Sequence, residues 1–259
     1  MKPGFMSSVC PKQTLSELIE TAKKYGYQGI EFRVEWDHQH GIELNATDEE
    51  LQQAKQLLTD NGIVASCIAT GVQFNSGNRS DHLSQRDSLQ KYIGLAAKMD
   101  VPYLRTFSDP VPEEDEVARN EVLNLAAESY ASVDDWAKQH GVQVLVETHT
   151  NMRAHWAKQI LDTASADSLN ILWDAGHHLG RGQSVEEAYP YLCGQVSHLH
   201  FRSNPSSETL TDVDNQQIFS LLAADRFTGF FSLEVINPED SEAVLNHHIA
   251  KFTEFMKGI

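Results

Sequence analysis

Short runs of β-branched and aromatic residues alternate along the chain with segments whose apolar positions recur at helical spacing. The strand-like runs are Gly4–Met6, Gly29–Val34, Val64–Ala69, Tyr103–Phe107, Val142–Glu147, Asn170–Asp174, Val196–Phe201 and Phe230–Ile236. Helical segments follow at Thr14–Tyr25, Thr47–Asn61, Asp81–Met99, Glu114–His140, His155–Ala164, Ser184–Leu192, Asp214–Ala224 and Ser241–Met256. Thr14-Leu-Ser-Glu17 and Thr47-Asp-Glu-Glu50 are capping boxes, each preceding an apolar stripe (Leu15, Leu18, Ile19, Ala22; Leu51, Ala54, Leu57, Leu58), and Asn61-Gly62 closes the second helix.

Alternating strands and helices with right-handed crossovers give a parallel sheet covered by helices. Eight such pairs in 259 residues, at about 32 residues each, predict a (β/α)8 TIM barrel. The alternative, an open doubly wound sheet, is weakened because no G-x-G-x-x-G follows the first strand. No linker or composition break divides the chain, so one domain over residues 1–259 is expected.

The active site of such a barrel lies at the C-terminal ends of its strands. A charge on an inward strand position costs on the order of several kcal/mol unless it is paired or metal-bound, so acids there need a reason. Strand five ends Val144-Leu-Val-Glu147-Thr-His149, strand six Ile171-Leu-Trp-Asp174-Ala-Gly-His177, strand seven reads Val196-Ser-His198-Leu-His200-Phe-Arg202, and strand eight Phe230-Phe-Ser-Leu-Glu234. Glu147, Asp174, His200 and Glu234 lie 27, 26 and 34 residues apart, one strand–helix unit each time. They are expected at matching heights, converging on the mouth. Three carboxylates and an imidazole at one point repel unless a cation joins them, and such a donor set suits Mn, Mg, Co or Zn. The bland alternative makes each acid a helix cap. His198 would sit one layer deeper, as a partner of the ligands or a hydrogen-bonded core histidine, with His178 outside the site. His177 and His149 point toward the mouth and are candidates for orienting ligands or touching substrate.

Arg33, Arg105 and Arg202 fall near the ends of strands two, four and seven. A guanidinium there suits a phosphate or carboxylate oxygen; an internal ion pair with Glu31 or Glu35 is the alternative. The loops at 35–40 and 70–80 border the mouth, and Trp36 or Phe74 could stack on a ligand ring or close over it. His38 and His40 read as part of a solvated loop. Trp136 and Trp156 read as packing of helices on the barrel rather than as an interface.

Composition narrows the partners. With 37 acidic against 20 basic residues the net charge is −17, a balance that counts against nucleic acid, whose binding rests on neutralising phosphates. No window reaches the roughly 18 apolar residues of a membrane helix, and the first residues lack the apolar run of a signal peptide. Cys10, Cys67 and Cys193 are scattered without C-x-x-C spacing and read as buried free thiols of a cytoplasmic protein.

Gly26-Tyr-Gln-Gly-Ile-Glu31 on strand two, V-L-V-E-T-H on strand five, W-D-A-G-H on strand six, H-L-H-F-R on strand seven and S-L-E-V on strand eight together resemble the xylose isomerase-like TIM-barrel superfamily. That group contains sugar phosphate isomerases and epimerases, ketose 3-epimerases, hydroxypyruvate isomerase, inosose and dehydroshikimate dehydratases, and endonuclease IV. The resemblance implies Glu147, Asp174, His200 and Glu234 as metal ligands, His177 as a substrate contact, and Glu147 with Glu234 as the acid/base pair. It also implies a small carbohydrate-like substrate, and homo-oligomers are common in the group. Two departures matter. Strands three and four end Ile68-Ala-Thr-Gly71 and Arg105-Thr-Phe-Ser108, without the histidines of the three-metal endonuclease branch, which implies one divalent ion. Strand seven continues Phe201-Arg-Ser-Asn204-Pro205 where the ketose 3-epimerases carry Gly-Glu.

The expected activity is isomerisation or epimerisation of a sugar, sugar phosphate or hydroxy-keto acid, by proton transfer through a metal-bound ene-diolate. A dehydratase of a cyclic keto-polyol shares that intermediate, and a non-catalytic sugar-binding barrel is the alternative of another kind.

Overall fold

A computed structural model describes residues 1–204 and 209–259; Pro205, within the strand-seven departure noted above, lies outside the described residues. Eight parallel strands close into a barrel in chain order: β1 (Lys2–Met6), β2 (Gly29–Arg33), β3 (Val64–Gln73), β4 (Tyr103–Phe107), β5 (Gln143–Glu147), β6 (Leu169–Asp174), β7 (Val196–Phe201) and β8 (Phe230–Leu233), with β8 pairing back onto β1. Around it stand α1 (Leu15–Tyr25), α2 (Asp48–Asp60), α3 (Arg79–Lys98), α4 (Glu116–Ala131), α5 (Asp134–Gln139), α6 (Ala154–Ala164), α7 (Ala175–Leu179), α8 (Val185–Leu192), α9 (Asp212–Ala224) and α10 (Ser241–Lys257).

Both expected capping boxes form: Thr14 with Glu17 and Thr47 with Glu50 exchange side-chain and backbone bonds reciprocally. Ser184 with Glu187 and Thr211 with Asp214 repeat the device at α8 and α9. The inner faces of the helices and the outer faces of the strands make one apolar layer, from Phe5 and Ile30 through Ile68, Leu104, Val144, Ile171 and Phe231. Close approach is built in at Gly29, where an added Cβ would stand 2.4 Å from the Phe230 ring.

The larger differences from the sequence pattern are these. The single helix expected over 114–140 is two, because the chain tightens at Ser132, whose Oγ donates to the Ser129 carbonyl, and Val133 N–H bonds to Tyr130 instead of continuing the i−4 ladder. Strand eight stops at Leu233, three residues before Ile236, because the chain leaves the sheet to bond the turn at Ser7–Val9: Ser8 Oγ donates to Val235 O, and Asn237 N–H to Ser8 O. Strand three runs on to Gln73, which pairs with Phe107. The short α7 was not foreseen; Asp174 caps it by accepting from Gly176 N–H at 2.9 Å.

Candidate metal centre and active site

The barrel's stagger sets the heights of the candidate ligands. Glu147 pairs with Leu172, two residues before Asp174; Asp174 pairs with His200; His200 pairs with Ser232, two residues before Glu234. Strands tilted in an eight-stranded barrel lose about one residue of level per strand, so offsets of two, none and two keep all four side chains within one residue of a common level. Glu147, Asp174, His200 and Glu234 each bring a ligand atom within 4.8 Å of the others. His200 Nδ1 stands 2.8 Å from Glu147, 3.5 Å from Glu234 and 3.9 Å from Asp174.

Three of these side chains are held from behind. Arg105 Nε lies 3.4 Å from Glu147 Oε2, both groups fully buried. Arg202 bonds Asp174 at 2.5 Å. The Nε2 face of His200 turns to Glu31 Oε1 at 3.1 Å, and Glu31 Oε2 meets His198 Nε2 at 2.9 Å. The ion pairs of Arg105 and Arg202 therefore run to candidate ligands, not to Glu31 or Glu35. The sequence placed Glu31 in a strand-two pattern and as an ion-pair alternative for the arginines, not beside the ligands; its position in mid-strand, with no turn to solvate it, is the signal that could have placed it there. His198 occupies the deeper layer and anchors Glu31.

The electrostatics follow from burial and neighbours. Burial would raise the Glu31 carboxyl, but the charges of His200 and His198 outweigh it and hold the group well below the usual carboxylate range. Burial likewise opposes ionisation of Glu147, yet His200 and Arg105 bring it to about 2. Glu234 goes the other way: burial raises it, and Glu147 and Asp174 add to the rise against the pull of His200. Burial would lower His200, but Glu234, Glu31 and Glu147 raise it well above the ordinary imidazole value. In the metal-free protein a protonated imidazole thus supplies the positive charge that the three carboxylates require.

The donor set fits a divalent ion. Glu147 Oε2 is buried without a hydrogen-bond partner, the four donors already converge, and three carboxylate oxygens with one imidazole nitrogen suit a hard to borderline cation. With Nε2 turned to Glu31, Nδ1 of His200, which meets Glu147 at 2.8 Å, is the atom that faces the cluster and would coordinate once deprotonated, the usual arrangement in which an outer carboxylate fixes the histidine tautomer. Asp174 serves as a helix cap as well, so the bland reading holds for one of its oxygens while the other faces the cluster.

Around the mouth, His149 Nδ1 meets buried Asp109 at 2.8 Å, and the His149 and His177 rings touch edge to face at 4.6 Å. His177 Nε2 is 3.7 Å from Asp174. A cavity of about 250 Å³ opens beside them, lined by Gly176, His177, Arg202, Asn204, Thr209 and Leu210. Arg33 lies over the Trp36 ring at 3.9 Å. Trp36 is 40% exposed and can reach a ligand, but Phe74 cannot: it is fully buried against Tyr130 and His82. His40 is also buried rather than solvated, between the Arg33 carbonyl and Ile42 N–H; His38 is half-buried and bonds Ser7. His178 stands outside the site, bonded to Trp173 and Gln183. Cys10 and Cys67 are buried, whereas Cys193 is exposed beside Asp225, because it follows α8 at the outer surface. Trp156 packs inward under Arg119, while Trp136 leaves 41% of its surface exposed. Among the described residues no helix is long and apolar enough to cross a membrane.

Comparison with known proteins places this geometry. An inosose dehydratase from Mesomycoplasma hyopneumoniae is 22% identical over 202 residues, 73% of this chain, and the match spans only 61% of that protein's length. Among solved structures, an L-ribulose 3-epimerase superposes with a TM-score of 0.79 at 17% identity, covering 99% of this chain and 94% of the other. A probable 3-DHS dehydratase of petrobactin synthesis from Bacillus anthracis superposes at 0.74 with 17% identity, covering 98% and 99%. Identities this low speak for the fold. The family model described as xylose isomerase-like TIM barrel matches residues 19–255, nearly the whole barrel from α1 to α10, and the chain belongs to that family.

Proposed function

We propose that the protein is a divalent-metal-dependent enzyme that moves a proton on a carbon next to a carbonyl, isomerising or epimerising a sugar, a sugar phosphate or a related hydroxy-keto acid. One observation carries the reading. Glu147 and Glu234 enter the same cluster from β5 and from the end of β8, three strands apart around the barrel, so a substrate carbon between them meets a carboxylate on each side. Holding an ion asks only for ligands; proton removal from one face of a carbon and return to the other asks for a carboxylate on each side of it.

When bound, the ion would be held by Glu147, Asp174, His200 and Glu234 and would polarise the substrate carbonyl and stabilise the charge left by proton removal. The chain's own residues do the rest. One glutamate takes the proton from carbon and the other gives one back. Return to the same carbon from the opposite face epimerises it; return to the adjacent carbon exchanges aldose and ketose. Arg105 and Arg202 hold the Glu147 and Asp174 carboxylates in place, and Glu31 holds His200. His177 and His149, at the rim, contact substrate hydroxyls.

A second reading is favoured by the dehydratase relative: after proton removal a β-hydroxyl leaves, and the same residues catalyse loss of water from a cyclic keto-polyol.

The test is mass spectrometry of a pool of ketoses, sugar phosphates, inososes and hydroxy-keto acids incubated in D2O with Mn-loaded protein. Deuterium gained without loss of water supports the isomerase or epimerase. Loss of water moves the assignment to the dehydratase. No change in any compound, with metal confirmed bound, refutes both for this substrate range.

A further inference from the structure

Arg33 and Arg105 occupy one register row. Arg33 pairs with Ala69 on β3, and Ala69 pairs with Arg105 on β4. Side chains in register on neighbouring strands share a face, so two guanidinium groups flank a single methyl group on the inward side, about 10 Å apart at their backbones. Their fates differ. Arg105 is committed to Glu147, though its Nε and Nη1 have no hydrogen-bond partner. Among the described residues Arg33 enters no ion pair and its guanidinium makes no hydrogen bond; it lies over the Trp36 ring at 3.9 Å. A half-buried cation with a second cation beside it is an unfavourable arrangement unless an anion completes it.

The support beneath Arg33 is also built rather than incidental. Trp36 follows Glu35, a non-glycine residue held at φ 76°. That backbone costs on the order of 1 kcal/mol or more and persists only where neighbours fix it. They do: Glu35 N–H donates to the Glu43 carboxylate at 3.2 Å, and Glu35 Oε2 accepts from Gly71 N–H at 2.5 Å. A Cβ at Gly71 would stand 2.8 Å from that oxygen and 3.4 Å from the Trp36 ring. The strained turn holds the indole beneath the guanidinium, 3.9 Å from its carbon to the ring centre.

Among the described residues Arg33 is the one of the three mouth arginines without an ion-pair partner; Glu234 and Glu147 act on its charge without contacting it.

We infer that Arg33, stacked on Trp36 and backed by Arg105, binds an oxyanion of the substrate, a phosphate or a carboxylate, so that the enzyme acts on anionic rather than neutral sugars. This rests on the proton-transfer reading above for its chemistry, but its test does not. Calorimetric binding to Mn-loaded protein compares D-fructose, D-fructose 6-phosphate and D-fructuronate. One charged ketose is expected to bind about 10- to 100-fold more tightly than fructose, the span of one charge-assisted bidentate contact, and whichever does so identifies phosphate or carboxylate. Arg33→Gln is expected to erase that advantage and Arg33→Lys to keep part of it, with circular dichroism confirming the fold. Equal binding of all three, no binding of any, or an advantage that survives in Arg33→Gln overturns the inference. Deuterium entering only neutral ketoses would sink it while leaving the proton-transfer reading intact. Charged ligands bound through Arg33 without any exchange would do the reverse.

Discussion

Replacing Glu31 by Gln tests whether a residue outside the four donors governs the metal centre. Glu31 accepts from His200 at 3.1 Å and meets His198 at 2.9 Å, with all three side chains buried. A buried hydrogen bond to a charged group contributes about 1.5–3 kcal/mol. Loss of an outer-shell partner of a metal-bound histidine typically weakens metal binding about 10- to 100-fold, or about 1.4–2.7 kcal/mol. The two figures agree. In the Gln variant only one amide oxygen remains, and the NH2 must face one of the two imidazoles. If it faces His200, the Nδ1–H tautomer is favoured and the coordinating atom is blocked. If it faces His198, the proton there can move to Nδ1, which has no partner now, and the loss sits near tenfold. Glu31→Leu removes both options and should lie at the upper end. Calorimetric titration with Mn or Co into the metal-free variants, with denaturation curves to confirm folding, reads this directly. A folded Glu31→Gln protein with metal affinity within twofold of the parent would refute the idea that Glu31 orients His200.

Three further outcomes are expected. Glu147→Gln should lower deuterium exchange by orders of magnitude while metal still binds measurably, as followed by mass spectrometry and calorimetry; retained exchange would remove Glu147 from the proton path. Gly29→Ala should cost about 1–3 kcal/mol, the usual range for overpacking, because its Cβ would meet the Phe230 ring at 2.4 Å; an unchanged urea midpoint would mean that the ring turns aside freely. His248 is pushed by burial down to about 4 from 6.5, against its bond to the Val244 carbonyl and with help from His247. Because the folded value lies below the unfolded one, its contribution is complete above pH 6.5 and is lost as pH falls toward 4, by up to about 3 kcal/mol. His248→Leu should flatten that part of the stability–pH curve, and an unaltered slope would show that other groups drive acid unfolding.

Much of the barrel was written in periodicity. The eight strand–helix pairs, the caps at Thr14 and Thr47 and the spacing of Glu147, Asp174, His200 and Glu234 are local or repetitive features, and hydrophobic period and capping chemistry act within a few residues of themselves. Charged residues at successive strand ends are legible for the same reason: a barrel strand that ends in an acid announces a cost that something must offset. What the sequence could not decide is contact between distant segments. Strand eight ends early because Ser8, more than 220 residues away in sequence, captures Val235. Phe74 read as a mouth residue and His40 as a solvated one by their loops, yet packing against Tyr130 and bonding to the Arg33 carbonyl buried them. Arg33, Arg105 and Arg202 read alike as candidates for a substrate anion, and only the closed barrel paired two of them with Glu147 and Asp174 and left Arg33, among the described residues, without an ion pair. Glu31 is the sharpest case. Its neighbours in sequence say only that it is mid-strand; its role comes from barrel closure, which brings β2 face to face with β7 across the interior and sets two histidines against one carboxylate.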